Sequence, residues 1–207
     1  MSMSAKLWIP KIGRAHQLNV VGLFNRAVRK VHDHGRPKPT ENLHWIGKLL
    51  SASEGGGYDM KNAGIVGQTV SWGEQDVFQH INNVAYLRWF ENARVNLFYN
   101  VADEHPEMLE FFDPTKGVGP VMRSVELAWR RPIVYPDRIT VVHKVGPITE
   151  PDRFVLHGVV VSHNQKVVAA RIKETLVCID QDGKKAPIPI KVRSIMEDWI
   201  KEQNLST

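Results

Sequence analysis

The chain of 207 residues contains a single cysteine and no apolar run long enough to cross a membrane. A lone cysteine, Cys178, excludes an internal disulfide framework and a zinc site built from several cysteines. It lies in the apolar run 176–179, a setting that favours packing over nucleophilic chemistry. A membrane-spanning helix needs about 18 or more apolar residues in succession, so no transmembrane segment is predicted.

The sequence also lacks the motifs of several enzyme classes. No serine lies in a G-x-S-x-G motif, so a serine hydrolase is not supported. His32 and His34 form the only close histidine pair, and they lack the i, i+4 spacing of zinc proteases. The sequence therefore predicts neither a metal site nor an organic cofactor.

Acidic residues are scarce in the first 40 positions, which hold eight lysines and arginines against Asp33 alone. The whole chain has a formal net charge of +5, so the remaining residues, with 19 basic and 21 acidic side chains, are slightly acidic. Because the basic residues are confined to one end, the main part of the chain gives no indication of nucleic-acid binding.

This basic N-terminal stretch contains the pattern of an amphipathic helix. Its apolar residues share one helical face: Leu18, Val21, Phe24, Val28 and Val31. Arginines without acids are typical of a mitochondrial transit segment, which predicts a mitochondrial location. A surface helix packed on the domain, with a cytoplasmic location, is the alternative, and a helix lying on a membrane surface is a third interpretation.

A linker follows the basic stretch. Residues 35–58 are rich in proline and glycine and hold one apolar patch at 43–50, which predicts a short helix inside a flexible connection. We therefore divide the chain into an N-terminal extension and linker, residues 1–60, and a main domain, residues 61–207.

The main domain shows one long helical pattern followed by a run of strands. A first strand is expected at 66–72, and a helix from 84 to about 101, which a break containing proline ends at 103–106. A closing helix is expected at 190–203, with Ile195, Trp199 and Ile200 directed inward. Turn signals separate four further predicted strands, at 120–130, 138–145, 153–163 and 167–179. This order predicts an α+β domain in which the helix covers one face of an antiparallel sheet.

The stretch 74–94 carries the candidate chemistry. Asn82 or Asn83 can cap the first turn of the helix predicted from Val84. The apolar face of that helix is expected to consist of Val84, Leu87, Phe90, Val95 and Phe98. Asp76 lies a short loop upstream. A carboxylate and the free N–H groups of a helix N-terminus are two of the parts that acyl transfer needs, a base or nucleophile and donors for the carbonyl oxygen.

Eight residues in this stretch follow the pattern D-x3-H-x-N-N-x2-Y-x4-E-x-A-R: Asp76, His80, Asn82, Asn83, Tyr86, Glu91, Ala93 and Arg94. The pattern resembles that of hotdog-fold thioesterases, in the 4-hydroxybenzoyl-CoA thioesterase-like family and most closely its long-chain acyl-CoA members. The resemblance covers residues 66–180. It implies a hotdog fold, in which a curved antiparallel sheet wraps around a long central helix.

The resemblance also implies roles for these residues. Asp76 would be the nucleophile or general base, and the backbone N–H near Asn83 would be the oxyanion donor. His80 and Asn82 would hold the loop or contact the substrate. Tyr86, Glu91 and Arg94 are assigned to orientation, with Glu91 and Arg94 expected to form an ion pair on the helix surface because they are three residues apart.

The function expected from this resemblance is that of an acyl-CoA thioesterase in lipid metabolism, which hydrolyses a fatty or aromatic acyl-CoA to free acid and CoA. No metal or organic cofactor is expected. A homodimer or homotetramer is expected, because the family forms its active sites between subunits. The alternative is a non-catalytic hotdog protein that binds an acyl chain or a protein partner.

Overall fold

The structure is a computed structural model that describes residues 43–52, 56–113 and 117–205. The basic amphipathic stretch at 14–31 lies outside the described residues, so its helix and its targeting role stay predictions. The domain boundary at residue 60 also stays a prediction.

The main domain is built on one five-stranded antiparallel sheet with strand order β1-β3-β4-β5-β2. Strands β1 and β2 therefore form the two edges. The strands are β1 (Ala63–Thr69), β2 (Gly119–Trp129), β3 (Arg138–Val145), β4 (Arg153–Ser162) and β5 (Val167–Ile179).

The predicted α+β class is confirmed, and the strand predictions differ from the structure mainly at their ends. Strands β3 and β5 have the predicted bounds. The first strand was placed too late, because it begins at Ala63 and ends at Thr69, before a 3-10 turn at Trp72–Glu74.

The long helix α2 (Asn83–Ala102) covers the inner face of the sheet, as predicted, and continues for 20 residues. Its buried side chains pack against inward-facing residues of the sheet in one apolar cluster. That cluster includes Ala85, Trp89 and Phe90 of α2 with Ile65, Val141, Val160 and Ile172 of the strands.

The prediction of which face of α2 is apolar was partly wrong. Phe90 and Phe98 are buried, but Val84, Leu87 and Val95 are exposed at 51%, 41% and 43%. The face of α2 that packs on the sheet instead includes small residues. Small side chains let the helix lie close to the strands. Helix α2 therefore has two apolar faces, of which the sheet covers one.

The C-terminal half of α2 belongs to a second apolar cluster with two more helices. Helix α2 ends at Ala102, just before the predicted break at 103–106, and α3 (Glu107–Phe111) follows. Helix α4 (Ile190–Leu205) closes the domain and buries Val192 and Met196. Three residues predicted to face inward are only half-buried there: Ile195, Trp199 and Ile200.

The outer face of the sheet is covered in part by helix α1 (His44–Ala52), which falls within the predicted linker. Ile46 and Leu50 are fully buried against Val142, Val159 and Val161. Residues 43–52 therefore pack on the sheet.

Helix α2 and strand β1 come into direct backbone contact at one point. A Cβ atom added to Gly64 would lie 1.8 Å from the carbonyl oxygen of Ala93. The Asn96 amide donates to the Gly64 carbonyl oxygen at 2.9 Å beside the same point. The close approach of helix and strand thus requires a residue without a side chain at position 64.

We predict that Gly64→Ala destabilises the protein by about 1–3 kcal/mol or more, because the added methyl group forces α2 away from β1. Urea unfolding measures the loss. Gly47→Ala is the control, since a Cβ there meets nothing within 4 Å and Gly47 lies within α1. The control should be stabilised by about 0.5–1 kcal/mol because alanine favours a helix. Equal stability of Gly64→Ala and wild type would contradict this account of the contact.

Candidate active site

The loop before α2 folds back on itself as a tight hairpin. Gln75 and Ile81 form an antiparallel bridge, and the Asp76 N–H donates to the His80 carbonyl oxygen at 2.8 Å. Gln79 has φ of 61°, a left-handed conformation that closes the turn. The chain therefore brings Asp76 beside His80, two residues before the cap of α2.

Asp76 is half-buried, and one of its carboxylate oxygens holds the turn. Oδ1 accepts hydrogen bonds from the backbone N–H groups of Phe78, at 2.8 Å, and His80, at 3.3 Å. In the part of the chain that the structure describes, no donor is recorded for Oδ2. The carboxylate is thus anchored through one oxygen and presents the other.

Asn82, one of the two asparagines predicted as the cap, caps α2. Its side-chain oxygen accepts the Val84 N–H at 2.9 Å, and its carbonyl oxygen accepts the Ala85 N–H at 2.9 Å. The Asn83 N–H precedes the first intrahelical hydrogen bond, and no acceptor for it is recorded among the described residues. The Asn83 N–H can therefore donate a hydrogen bond to a negatively charged group at this helix terminus. The helix dipole also stabilises negative charge there.

Glu74 joins the loop to α2. Its Oε1 accepts the indole N–H of Trp89 at 3.2 Å, and its Oε2 accepts the Ser71 N–H at 2.9 Å. The Glu74 carbonyl oxygen accepts the Asn82 N–H at 2.8 Å. These contacts hold both ends of the hairpin against the first turns of the helix.

Tyr86 is buried and orients a second loop. Its hydroxyl oxygen accepts the Ile133 N–H at 3.1 Å, while the Ile81 N–H donates to the Ile133 carbonyl oxygen at 2.8 Å. Burial raises the pKa of the Tyr86 hydroxyl, partly offset by the hydrogen bond from Ile133. Tyr86 therefore stays neutral and ties the loop after β2 to the hairpin.

Arg94 points into the protein and pairs with Glu174 of β5, so the predicted surface ion pair with Glu91 was wrong. The Glu174 Oε2 atom also lies 3.3 Å from Nε2 of His143, and both side chains are almost wholly buried. Glu91 is exposed on α2. The distance along the chain explains the error, since Glu174 is 80 residues from Arg94.

The predicted site residues thus fall into two groups. Asp76, His80, Asn82 and Asn83 meet at the hairpin and the helix start, with the His80 side chain exposed. Tyr86 supports this region from the buried side of α2, whereas Arg94 lies about 16 Å along the helix from Asn83. Sequence patterns did not indicate the supporting roles of Glu74 and Ile133, which depend on folding back of the chain.

Large apolar side chains surround the hairpin. Trp72, Val77 and Phe78 are exposed at 72%, 91% and 76%. Exposed apolar residues grouped around a candidate site mark a surface that a ligand or another chain covers.

Cys178 takes no part in the site. It is fully buried, as predicted, and burial raises the pKa of its thiol to about 11. Within the described residues no cluster of metal-binding side chains is found, and no helix there is long and apolar enough to cross a membrane.

The chain matches known proteins over the region just described. The family model of the thioesterase-like superfamily matches residues 70–203. The long-chain acyl-CoA thioesterase FadM of Escherichia coli (strain K12) is 27% identical over 127 residues, which are 61% of this chain and 91% of FadM.

Solved structures show the same fold. A thioesterase from Thermus thermophilus, complexed with coenzyme A and Zn, superposes with a TM-score of 0.55 at 22% identity, covering 71% of this chain and 96% of that one. A 1,4-dihydroxy-2-naphthoyl-CoA thioesterase from Synechocystis has a TM-score of 0.53 at 17% identity, covering 63% and 93%. These likenesses confirm the predicted hotdog fold.

Proposed function

The chain belongs to the thioesterase-like superfamily and is a thioester hydrolase, and from this premise we propose that it hydrolyses a fatty acyl-CoA to free acid and CoA. The similarity to FadM, a long-chain acyl-CoA thioesterase, supports the acyl-CoA class. One observation carries the proposal. The hairpin that anchors the Asp76 carboxylate leads directly into the start of α2, where the Asn83 N–H lies.

Two routes are compatible with this arrangement. As general base, Asp76 takes a proton from water, and the resulting hydroxide adds to the thioester carbonyl carbon. As nucleophile, its carboxylate oxygen adds to that carbon and expels the thiolate, and water then hydrolyses the mixed anhydride. In both routes the C–S bond breaks, the thiolate takes up a proton, and the acid is released.

The carbonyl oxygen becomes negatively charged in either route. We assign its stabilisation to the Asn83 N–H at the start of α2, where the helix dipole adds to the hydrogen bond. Loss of one such donor typically costs about 2.7–4 kcal/mol of transition-state stabilisation. Because a thiolate is a good leaving group, the site needs no strong general acid.

We assign an apolar cavity on α2 to the far end of the acyl group. The cavity has a volume of about 200 Å³. It is lined by Val95, Phe98, Tyr99, Leu109 and Phe112. An apolar cavity of roughly 150 Å³ can hold benzene, so this one can hold several methylene groups.

The position of the cavity indicates a chain length. Val95 is 12 residues after Asn83, so it lies about 18 Å along the helix. An extended hydrocarbon chain advances about 1.3 Å per carbon, since each C–C bond is about 1.5 Å long, and would need about 14 carbons to reach it. The exposed side chain of Leu87 provides an apolar surface on the way, interrupted by Glu91.

We also propose that the protein forms a homodimer through the edge strand β2. This strand is 11 residues long, and its outer edge pairs with no other strand of the described residues. Val125 and Trp129 lie opposite Glu174 and Ala170, whose side chains face α2, so all four side chains lie on the same face of the sheet. The side chains of Val125 and Trp129 are nevertheless exposed. A long apolar edge invites pairing with another strand, and a second copy would cover both the edge and these side chains.

We predict that Asp76→Asn lowers thiol release from acyl-CoA by about 10²-fold or more, because asparagine provides no general base or nucleophile. Release is followed with a thiol reagent. Asparagine keeps the Oδ1 acceptor, so the hairpin should remain folded.

Asp180 offers a matched control for this change. Its Oδ1 accepts the N–H groups two and four residues later, both at 2.9 Å, in the same hydrogen-bonding pattern as that of Asp76. Asp180→Asn should therefore have the same structural effect and retain full activity. Equal activity of the two variants, or no thiol release from wild type, would favour the non-catalytic alternative, a hotdog protein that binds an acyl chain or a protein partner.

For the acyl chain, we predict that Val95→Trp reduces kcat/KM for 16-carbon acyl-CoA at least about ten-fold and leaves that for 8-carbon acyl-CoA unchanged. The indole ring fills the cavity, which only the longer chain reaches. Asn100→Trp, at an exposed position of the same helix, should affect neither substrate. A uniform loss for both chain lengths would contradict this placement of the acyl chain.

For the dimer, sedimentation of wild type should give twice the mass of the 23.5 kDa chain, or a multiple of that mass. Val125→Lys should shift the protein to monomer, since it adds a charge to the apolar edge. Gln68→Lys, on the opposite edge strand β1, should sediment like wild type. A monomeric wild type would refute the proposal.

A further inference from the structure

The outer face of the sheet contains a basic groove that no step of the proposed hydrolysis uses. Its volume is about 400 Å³. Its charged and polar lining consists of Tyr58, Glu126, Lys144, His157, Arg171 and Lys173. Arg171 and Lys173 alternate along β5 with Ile172 and Glu174, which face α2, so the groove opens on the opposite side of the sheet.

Basic residues in this groove form a continuous row across the strands. Lys144 of β3 lies opposite His157 of β4, and His157 lies opposite Lys173 of β5. The row ends at Glu126 of the edge strand β2, and Glu126 lies opposite Lys173. The Lys173 ammonium donates a hydrogen bond to the Glu126 carboxylate at 2.8 Å. Arg171 lies one outward-facing position along β5 from Lys173.

Such a row has an energetic cost. Directly opposite residues in an antiparallel pair have Cβ atoms about 4.5–5.5 Å apart, and like charges at that distance destabilise the sheet. Lys144, Arg171 and Lys173 bring three positive charges to the groove, and Glu126 provides one negative charge. The groove therefore has an excess of positive charge in a concave surface, where an electrostatic field is strengthened.

Burial, and after it the positive charges, shift the ionisation of two groove residues. The pKa of His157 is lowered, first by burial and then by the charges of Lys144 and Lys173. Burial and the neighbouring Arg171 lower the pKa of Lys144. A bound anion would oppose these charge effects.

The groove is also held in shape before any ligand binds. The Lys144 ammonium donates to the Gly56 carbonyl oxygen at 2.5 Å and lies 4.7 Å from the centre of the Tyr58 ring. Tyr58 is itself buried and hydrogen-bonded to Arg171. Gly146 leaves room for His157, since a Cβ there would lie 3.2 Å from Nε2 of the imidazole. Little ordering is needed on binding, which favours affinity.

We propose that this groove is a binding site for the phosphate group of a small molecule. A phosphate dianion matches the excess charge, and its oxygens accept hydrogen bonds from lysine and arginine. A volume of about 400 Å³ lies in the range of small-molecule pockets, about 300–1,000 Å³, so the phosphate can belong to a larger molecule. Coenzyme A, with its 3′-phosphate and pyrophosphate, is one source of this chemistry, and free phosphate is the other.

The groove lies on the other face of the sheet from α2, so phosphate binding there can be measured apart from the proposed hydrolysis, although the coenzyme A arm rests on the proposed function. Its test therefore uses binding to the full chain, measured by isothermal titration calorimetry. The probes are inorganic phosphate, coenzyme A and dephospho-coenzyme A, which lacks the 3′-phosphate. All three are titrated into wild type and into the variants below.

Lys173→Met removes one charge of the row and keeps the length of the side chain. It should weaken binding of at least one probe about ten-fold, since the phosphate loses a charge-assisted hydrogen bond. Lys184→Met is the matched control, because Lys184 is exposed and lies near an acid, Asp182, at 3.9 Å. The control should bind every probe as wild type does.

Glu126→Gln provides a test of opposite sign. Removal of this negative charge leaves the row without its acid, so binding of the same probe should become tighter by a few-fold. Added sodium chloride should weaken binding in wild type. A variant that tightens binding cannot be explained by loss of folding.

The probes separate the two sources of phosphate. Tighter binding of coenzyme A than of dephospho-coenzyme A, with the difference abolished in Lys173→Met, assigns the groove to the 3′-phosphate of coenzyme A. Binding of inorganic phosphate that responds to Lys173→Met, without that difference, assigns it to free phosphate. If no probe binds wild type, or if Lys173→Met and Glu126→Gln bind all three probes unchanged, the proposal is overturned.

Discussion

The close packing of α2 on the sheet is the contact on which the candidate site depends. At Gly64 the helix and β1 approach until the Ala93 carbonyl lies where a side chain would begin. Trp89 and Tyr86, on the same buried side, then bind Glu74 and Ile133 of two separate loops. The position of the helix therefore determines where the hairpin that carries Asp76 lies.

A buried charge cluster fixes α2 at a second point. Arg94 and Glu174 form an ion pair with little exposure to water, beside the wholly buried His143. Burial of charges is costly, and removal of one partner of such a pair is more costly still because the other remains buried alone. An apolar contact tolerates sliding, whereas this pair specifies one position of the helix along β5. It thereby supplies a precision that the apolar clusters lack.

Strands and caps were predictable from the sequence because their signals are local. The β-branched residues of β3 and β5 lie between turn residues, and Asn82 immediately precedes the helix that it caps. The inward face of α2 was less predictable, because Val84 and Val95 are as apolar as the residues that face the sheet. The partners of Arg94 and Trp89 could not be predicted at all. Each depends on contacts that form only when distant parts of the chain meet.

The two aspartate turns show why local geometry alone does not define an active site. Asp76 and Asp180 each close a turn through the same four hydrogen bonds, two accepted by the carboxylate and two between backbone groups. Gln79 and Gly183 take the left-handed conformation at equivalent positions. The turn is therefore a structural device that the chain uses twice. The first turn leads directly into the N-terminus of α2, where the Asn83 N–H has no acceptor among the described residues and Val77 and Phe78 are exposed beside it. The proposed chemistry rests on that surrounding, because a carboxylate acts on a thioester only where the developing oxyanion finds a donor.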